Sequence, residues 1–353
     1  AKRMRASFAL ALGALGGVVF NWLTMPLPWV LGAMAFNTAA SVLGLPVLPP
    51  MRARPYVVAV IGVMLGSGFR PEVMQQAGGW ALSLAFLALY LAVSGALVVP
   101  YYRKIGGFDR VTAYFAGMPG GLNEMLLIGE SMGGDDRKIV LAHASRIFTV
   151  VCLMAVWFRL VAGYDLGDRS RFGVPFEQVP PLELGVLALC GVIGFFLGRK
   201  LRVPAPILIG PMVLSAAAHL SGLAHTPPPQ ELVIVAQLFL GTIMGCRFLG
   251  AAPASIGRAL LLGLGASVIM LAVTAVFAVL FHGLFGQATE QVLLAYSPGG
   301  LAEMSLVALA MNAEVAYVAS HHMVRIILVI LFAPLAFALL DRWRRGGKGP
   351  PTT

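Results

Sequence analysis

From Ala6 to Met51 the chain carries no charged residue, and long uncharged apolar stretches recur almost to its end. Such runs fold stably only where lipid or protein, not water, surrounds them, and in hydrocarbon every backbone polar group must be paired within the segment, which makes each run a helix. Only 11% of the residues are charged and 59% are hydrophobic, against about 25% charged in an ordinary soluble domain. A water-soluble globule is therefore excluded.

Prolines divide the first run into two spans, 7 to 24 and 28 to 47. Further spans follow at 55 to 69, 78 to 101, 138 to 162, 184 to 198, 204 to 222, 231 to 249, 258 to 285 and 315 to 340. Two more apolar segments, 111 to 132 and 290 to 311, are broken by Pro-Gly-Gly and either cross or enter and return. Residues 163 to 183, with Asp165, Asp168, Arg169, Arg171, Glu177 and Glu183, form a polar connector. Lys2, Arg3 and Arg5 read as the cytoplasmic flank of the first span rather than as part of a signal peptide. The net charge of +10 would suggest nucleic acid in a soluble chain. Here the basic residues cluster between apolar runs, as in cytoplasmic loops, so no nucleic-acid partner is expected. Cys152, Cys190 and Cys246 lie in or at the ends of apolar runs without CxxC spacing and read as small core residues.

The chain is internally duplicated. Pro26, Pro28, Gly32, Met34, Gly44, Pro49 and Pro50 recur 178 positions later as Pro204, Pro206, Gly210, Met212, Gly222, Pro227 and Pro228. At an offset of 179, Gly62, Gly66 and Phe69 match Gly241, Gly245 and Phe248, and the run from Pro119 to Met125 matches that from Pro298 to Met304. Asp135, His143, Arg146 and Ile147 likewise match Glu314, His322, Arg325 and Ile326. The expected domains are a first repeat over 1–162, a connector over 163–183, and a second repeat with a basic tail over 184–353.

Charge placement favours antiparallel copies. If both Pro-Gly-Gly segments re-enter, 19 Lys and Arg lie on the N-terminal side and 4 (Arg70, Arg159, Arg169, Arg171) on the other, with Arg146 and Arg325 inside spans. If both cross, the split is 15 and 8. The positive-inside rule prefers the first. The expected fold is an all-α polytopic membrane protein of two inverted repeats, each of about five transmembrane helices plus a re-entrant or broken helix.

The residues able to carry chemistry lie at these breaks. Pro119, Gly120, Gly121 and Pro298, Gly299, Gly300 end one helix and start another at Leu122 and Leu301, whose free N–H groups would face the membrane interior. Secondary transporters hold solute or coupling ion in this way, whereas a plain turn at the membrane surface would use the same residue types. Glu124 and Glu303 fall in the first turns, as ligands or as helix caps. His143 with Arg146, and His322 with Arg325, share a helix face inside apolar spans, where ionisable groups mark pathways or pairs. Each Arg would pair with a motif Glu, as a clamp, or hold an anionic solute. Each His would relay a proton or donate a hydrogen bond. Asn123, Ser297 and Ser305 differ between the halves and are candidates for specificity. His321, opposite Ala142, looks dispensable, and the glycines 62, 66, 241 and 245 read as close-packing contacts. GxSxG, HExxH and Walker A motifs are missing, and no metal or cofactor is expected.

With the repeat, the paired P-G-G-L-x-E-M elements and the His-xx-Arg pairs, the chain resembles the AbrB-type membrane protein duplication family of bacteria over nearly its full length. Members are often labelled ammonia monooxygenase or regulator of gene expression, roles that nothing in these residues supports. The paired breaks are also similar in arrangement to those of elevator-type citrate and glutamate symporters. The resemblance implies a multi-pass protein of the bacterial inner membrane, and the charge placement puts both termini in the cytoplasm. The reading is a secondary transporter of a small, anionic solute, coupled to H+ or Na+. A ligand-binding sensor and a membrane monooxygenase are the alternatives. The expected partners are solute, coupling ion and lipid, with homo-oligomerisation left open.

Overall fold

The computed structural model describes residues 2–163 and 173–346, with side chains as far as 342. Asp165, Asp168, Arg169 and Arg171 of the connector lie outside the described residues. The first half comprises α1 (Lys2–Trp22), α2 (Pro28–Val42), α3 (Arg54–Gly66), a short α4 (Pro71–Met74), α5 (Ala81–Lys104), α6 (Arg110–Gly117), α7 (Leu122–Ser131) and α8 (Asp136–Val156). The second comprises α9 (Pro181–Lys200), α10 (Pro206–Leu220), α11 (Gln230–Gly245), α12 (Pro253–Phe285), α13 (Thr289–Tyr296), α14 (Leu301–Ala310) and α15 (Val315–Gly346). Among the described residues there is no strand, only an isolated bridge between Val174 and Pro229.

Among the described residues seven helical stretches are long and apolar enough to cross a membrane. Their outer faces expose large apolar side chains such as Leu15, Val192, Phe196, Leu261, Val279 and Leu331, the composition that lipid requires. The protein is an all-α polytopic membrane protein. Helices α2, α3 and α10 are shorter than the spans read from the sequence, at 15, 13 and 15 residues. At about 1.5 Å per residue they fall short of a core of about 30 Å. Proline starts α2 and α10, and a left-handed glycine ends the turn after each, Gly44 and Gly222.

The duplication extends to the backbone. Left-handed residues recur in register: Thr24 and Arg202 (φ 53° and 53°), Leu27 and Ala205 (47° and 43°), Gly107 and Gly286 (66° and 64°), Gly133 and Asn312 (86° and 57°). Non-glycine residues rarely adopt this conformation, so its repetition marks a shared local fold.

The helices form two groups. In the first, α2 packs on α11 and α3 on α10, so each half's second helix meets the other half's third. Glycines permit this approach: a Cβ on Gly62 would strike the Leu208 carbonyl, and one on Gly241 the equivalent Val30 carbonyl. Gly66 and Gly245 stand in the same way against Met212 and Met34. The second group joins α5, α8, α12 and α15 with the two broken helices.

Both broken segments turn back on themselves. The Asp135 N–H, beyond the end of α7, donates to Thr112 Oγ1 at the start of α6 over 2.8 Å. The Glu314 N–H, beyond α14, donates to Gln291 Oε1 at the start of α13 over 3.3 Å. Each pair of half-helices is thus a hairpin whose two ends lie together, with Pro-Gly-Gly at its tip.

Candidate functional site

The two hairpin tips are held by the same contacts. Helix α6 ends at Gly117 and leaves carbonyls without helical partners. Arg146 of α8 donates from Nη1 to the carbonyls of Ala116 (3.1 Å) and Met118 (3.2 Å), and from Nη2 to His143 Nδ1 (2.9 Å). His143 Nε2 donates to the Phe115 carbonyl over 2.8 Å. Arginine can only donate, so His143 Nδ1 accepts, which makes the imidazole neutral in a single tautomer. In the second half Arg325 donates from Nη1 to the Ser297 carbonyl (2.5 Å), and from Nη2 to the Gly299 carbonyl (2.6 Å) and His322 Nδ1 (3.0 Å). His322 Nε2 donates to the Leu294 carbonyl over 3.0 Å. Both guanidiniums are buried, 1% and 2% exposed.

A cation at the end of a helix meets the negative pole of its dipole. Beyond each break the next helix starts on a glycine, Gly121 or Gly300, that has no side chain to cap it. Glu124 and Glu303 fold their carboxylates back over these glycines, where a Cβ would push the carboxylate aside. A carboxylate there meets the positive pole of the second half-helix. Each break is therefore bracketed by the two charges that its dipoles favour. The Arg–Glu pairing expected from the sequence does not form among the described residues: no hydrogen bond or ion pair joins them. The arginines are occupied by carbonyls, an acceptor set that the helix break itself creates.

The halves differ in depth. Ser297, Pro298, Gly299 and the residues from Leu301 to Ala308 are buried, and Glu303 is 8% exposed. In the first half Pro119 is buried, but Gly120, Gly121 and Glu124 are half-buried and Asn123 is exposed, outside the buried cluster. Ser297 donates to the Leu294 carbonyl, and the buried Ser305 hydroxyl has no partner among the described residues. The tips are neighbours: a Cβ on Gly120 would meet Val329 of α15, one turn past Arg325, and α14 packs on α8 and α3.

Residues 29–341 match the family described as Transition state regulatory protein AbrB. The chain belongs to the AbrB family. Among AbrB relatives it is similar to "Uncharacterized protein YhjN" of Bacillus subtilis (strain 168), 25% identical over 94% of this chain and 92% of that protein. It is also similar to "Putative regulator AbrB" of Escherichia coli (strain K12), 25% identical over 92% of each. The regulatory words in the family's description and in the second relative's name belong to those proteins.

One residue of this AbrB-family site was misjudged from the sequence. His321 looks dispensable for want of a counterpart, yet it is wholly buried and ties three helices together. Its Nδ1 donates to the Tyr317 carbonyl (2.8 Å), leaving Nε2 to accept from Ser83 Oγ (2.5 Å). The Tyr317 hydroxyl donates to Ser83 Oγ over 2.9 Å, and the Tyr296 hydroxyl to the Ser83 carbonyl. The signal was available: a histidine inside an apolar span needs partners whether or not it is repeated. Ser83, Tyr296 and Tyr317 gave no such signal.

Proposed function

We propose that this protein is a secondary-active transporter of a small anionic solute, coupled to H+ or Na+, working by alternating access. The observation that supports this most is the pair of hairpin tips from opposite halves, the first packed on α15, whose Arg325 holds the second, and each a broken helix bracketed by a buried arginine and a glutamate. Non-helical backbone inside a membrane protein is tolerated where protein buries it or where it lines a cavity, and paired half-helices of this kind are a transporter device. In this reading the short α2, α3 and α10 cross as well, the bilayer thinning around them, so that each half has five crossings beside a hairpin that returns to its own side and the second copy runs antiparallel to the first. The 19 to 4 split of basic residues supports that orientation and puts both termini in the cytoplasm of a bacterial inner membrane. The division into repeats at 1–162 and 184–353 follows from it. Two arginines buried without a carboxylate partner favour an anion over a cation.

A second reading, a membrane sensor that binds a ligand without moving it, is favoured by the regulatory names in the family. Neither reading assigns a catalysed reaction. The test is reconstitution into liposomes and a solid-supported-membrane screen of organic anions, with and without H+ and Na+ gradients. Transport currents are expected, and Glu303→Gln is expected to abolish them while leaving folded protein in the membrane. Ligand-dependent stabilisation without flux for any anion would overturn the transporter in favour of the sensor.

A further inference from the structure

Away from the hairpin tips, a partly open cavity of about 890 Å³ lies where the end of α5, the start of α8 and the start of α12 converge. Six charged residues line it: Asp135, Asp136, Arg137, Lys138, Arg247 and Arg258. Asp135 is matched by Lys138 at 3.2 Å. That leaves Arg137, Arg247 and Arg258 against Asp136, a cationic excess in a space of the size that holds metabolites. Arg258 donates one Nη2 bond to the Gly106 carbonyl at 3.0 Å. Arg247, half-buried, has no carboxylate within ion-pair distance and no hydrogen bond among the described residues. Tyr102 also lines the cavity; it is wholly buried, and its hydroxyl lacks a partner among the described residues. An unpaired donor is costly in proportion to its burial, so a cavity lined by both the Arg247 guanidinium and Tyr102 is suited to an acceptor from outside the chain. Ala252 and Ser255 bring the first turn of α12 to the same wall, and Leu141 and Leu262 supply apolar surface.

On one side the cavity reaches toward the residues that hold the first tip. Ala142 on its wall is next to His143, and the charge of Arg247 acts through space on His143 and on Glu303. The charge of Arg146 reaches Tyr102 in the same way.

We propose that this cavity binds a small organic anion, with its carboxylate or phosphate oxygens on Arg247 and Arg258, its apolar body against Leu141 and Leu262, and Tyr102 at the inner end. Guanidinium groups match such oxyanions through paired donors, and the mixed wall selects an anion with some carbon surface over a bare inorganic ion. The inference deepens the transport reading, on which it rests for the fate of the bound anion, by naming the solute class. Its test reads binding rather than flux. A site that binds without transport would leave this inference standing and remove the transporter.

The test is thiol modification of the full chain with Ser255→Cys, its three native cysteines replaced by serine, in phosphatidylcholine nanodiscs. Relative to free cysteine, an anionic methanethiosulfonate should outpace a cationic one by roughly tenfold, because a cleft with a net excess of cations concentrates anions. Arg247→Gln with Arg258→Gln should return the ratio to that of free cysteine. Isophthalate or glutarate should slow the labelling, and neutral isophthalamide should not. Equal rates for the two reagents, or equal protection by the neutral amide, would overturn the proposal. So would protection that appears only with phosphatidylglycerol in the disc, which would identify a lipid headgroup site. If the cysteine-free chain does not fold, melting of the native chain decides: stabilisation by isophthalate that Arg247→Gln removes supports the site, and its absence overturns it.

Discussion

A buried arginine inside a membrane protein needs acceptors for its donors, and here the protein supplies them to the two Nη groups, though not to Nε, by breaking a helix beside it. The carbonyls of Ala116, Met118, Ser297 and Gly299 have no i+4 helical donor because Pro-Gly-Gly ends the helices that would have supplied one. Lysine carries the same charge but cannot reach two carbonyls and a histidine nitrogen at once. Arg325→Lys should therefore lower unfolding stability by about 3 kcal/mol, the scale of losing hydrogen bonds to a buried charge. Arg146→Lys, beside the shallower tip, should cost less. An SDS titration in bicelles checks the order, and equal or negligible losses would contradict the clamp. At this scale the sequence was half legible. Its periodicity singled out the four His and Arg residues, but the arginines' partners are backbone atoms, which no residue pattern encodes. His321 has no counterpart in the first repeat, so the duplication gives it no weight, and its burial comes from partners on other helices.

At the scale of elements, the hairpins are closed by short-range chemistry at their mouths. Asp109 caps α6, accepting from the Thr112 N–H at 3.0 Å and from its hydroxyl. Asp135 caps α8, accepting from the Lys138 N–H at 3.1 Å. The Thr112 hydroxyl oxygen then accepts from the Asp135 N–H, tying α6 to the start of α8. Thr112→Val removes that tie at nearly constant shape and should cost about 1 kcal/mol in the same titration; no change would mean that packing alone closes the hairpin. For each aspartate burial raises the carboxyl pKa, but hydrogen bonds outweigh it: from Thr112 at Asp109, and from Lys138, with its charge, at Asp135. Both groups are thus held below their ordinary range. A carboxyl lowered on folding adds stability that is complete above its unfolded pKa and is lost as pH falls through its folded one. The unfolding midpoint should therefore hold from neutral pH to about pH 4 and decline below it. Asp109→Asn should flatten that decline, and an unaltered acid limb would contradict the assignment. Helix starts at Leu122 and Leu301 were legible to the residue, since Pro-Gly-Gly leaves the backbone little choice. The short α2, α3 and α10 were not, because hydropathy marks where a chain is apolar and not where its helix unwinds.

At the scale of the whole molecule, the duplication organises everything else. Recurrent left-handed residues, matched glycine contacts across the halves and hairpins closed at equivalent positions all follow one register, and that register was readable from the sequence because prolines and glycines mark it. The unequal depth of the two tips was not readable, since it depends on which surfaces the halves present to each other. The central claim is that the copies are antiparallel, so that their hairpins enter from opposite sides. Single cysteines at Ile105, beside the mouth of the first hairpin, and at Ala288, at the mouth of the second, test it most directly. With an impermeant thiol reagent, Ile105→Cys should be labelled only from the cytoplasmic side and Ala288→Cys only from the opposite side. Labelling of both from one side would contradict the account.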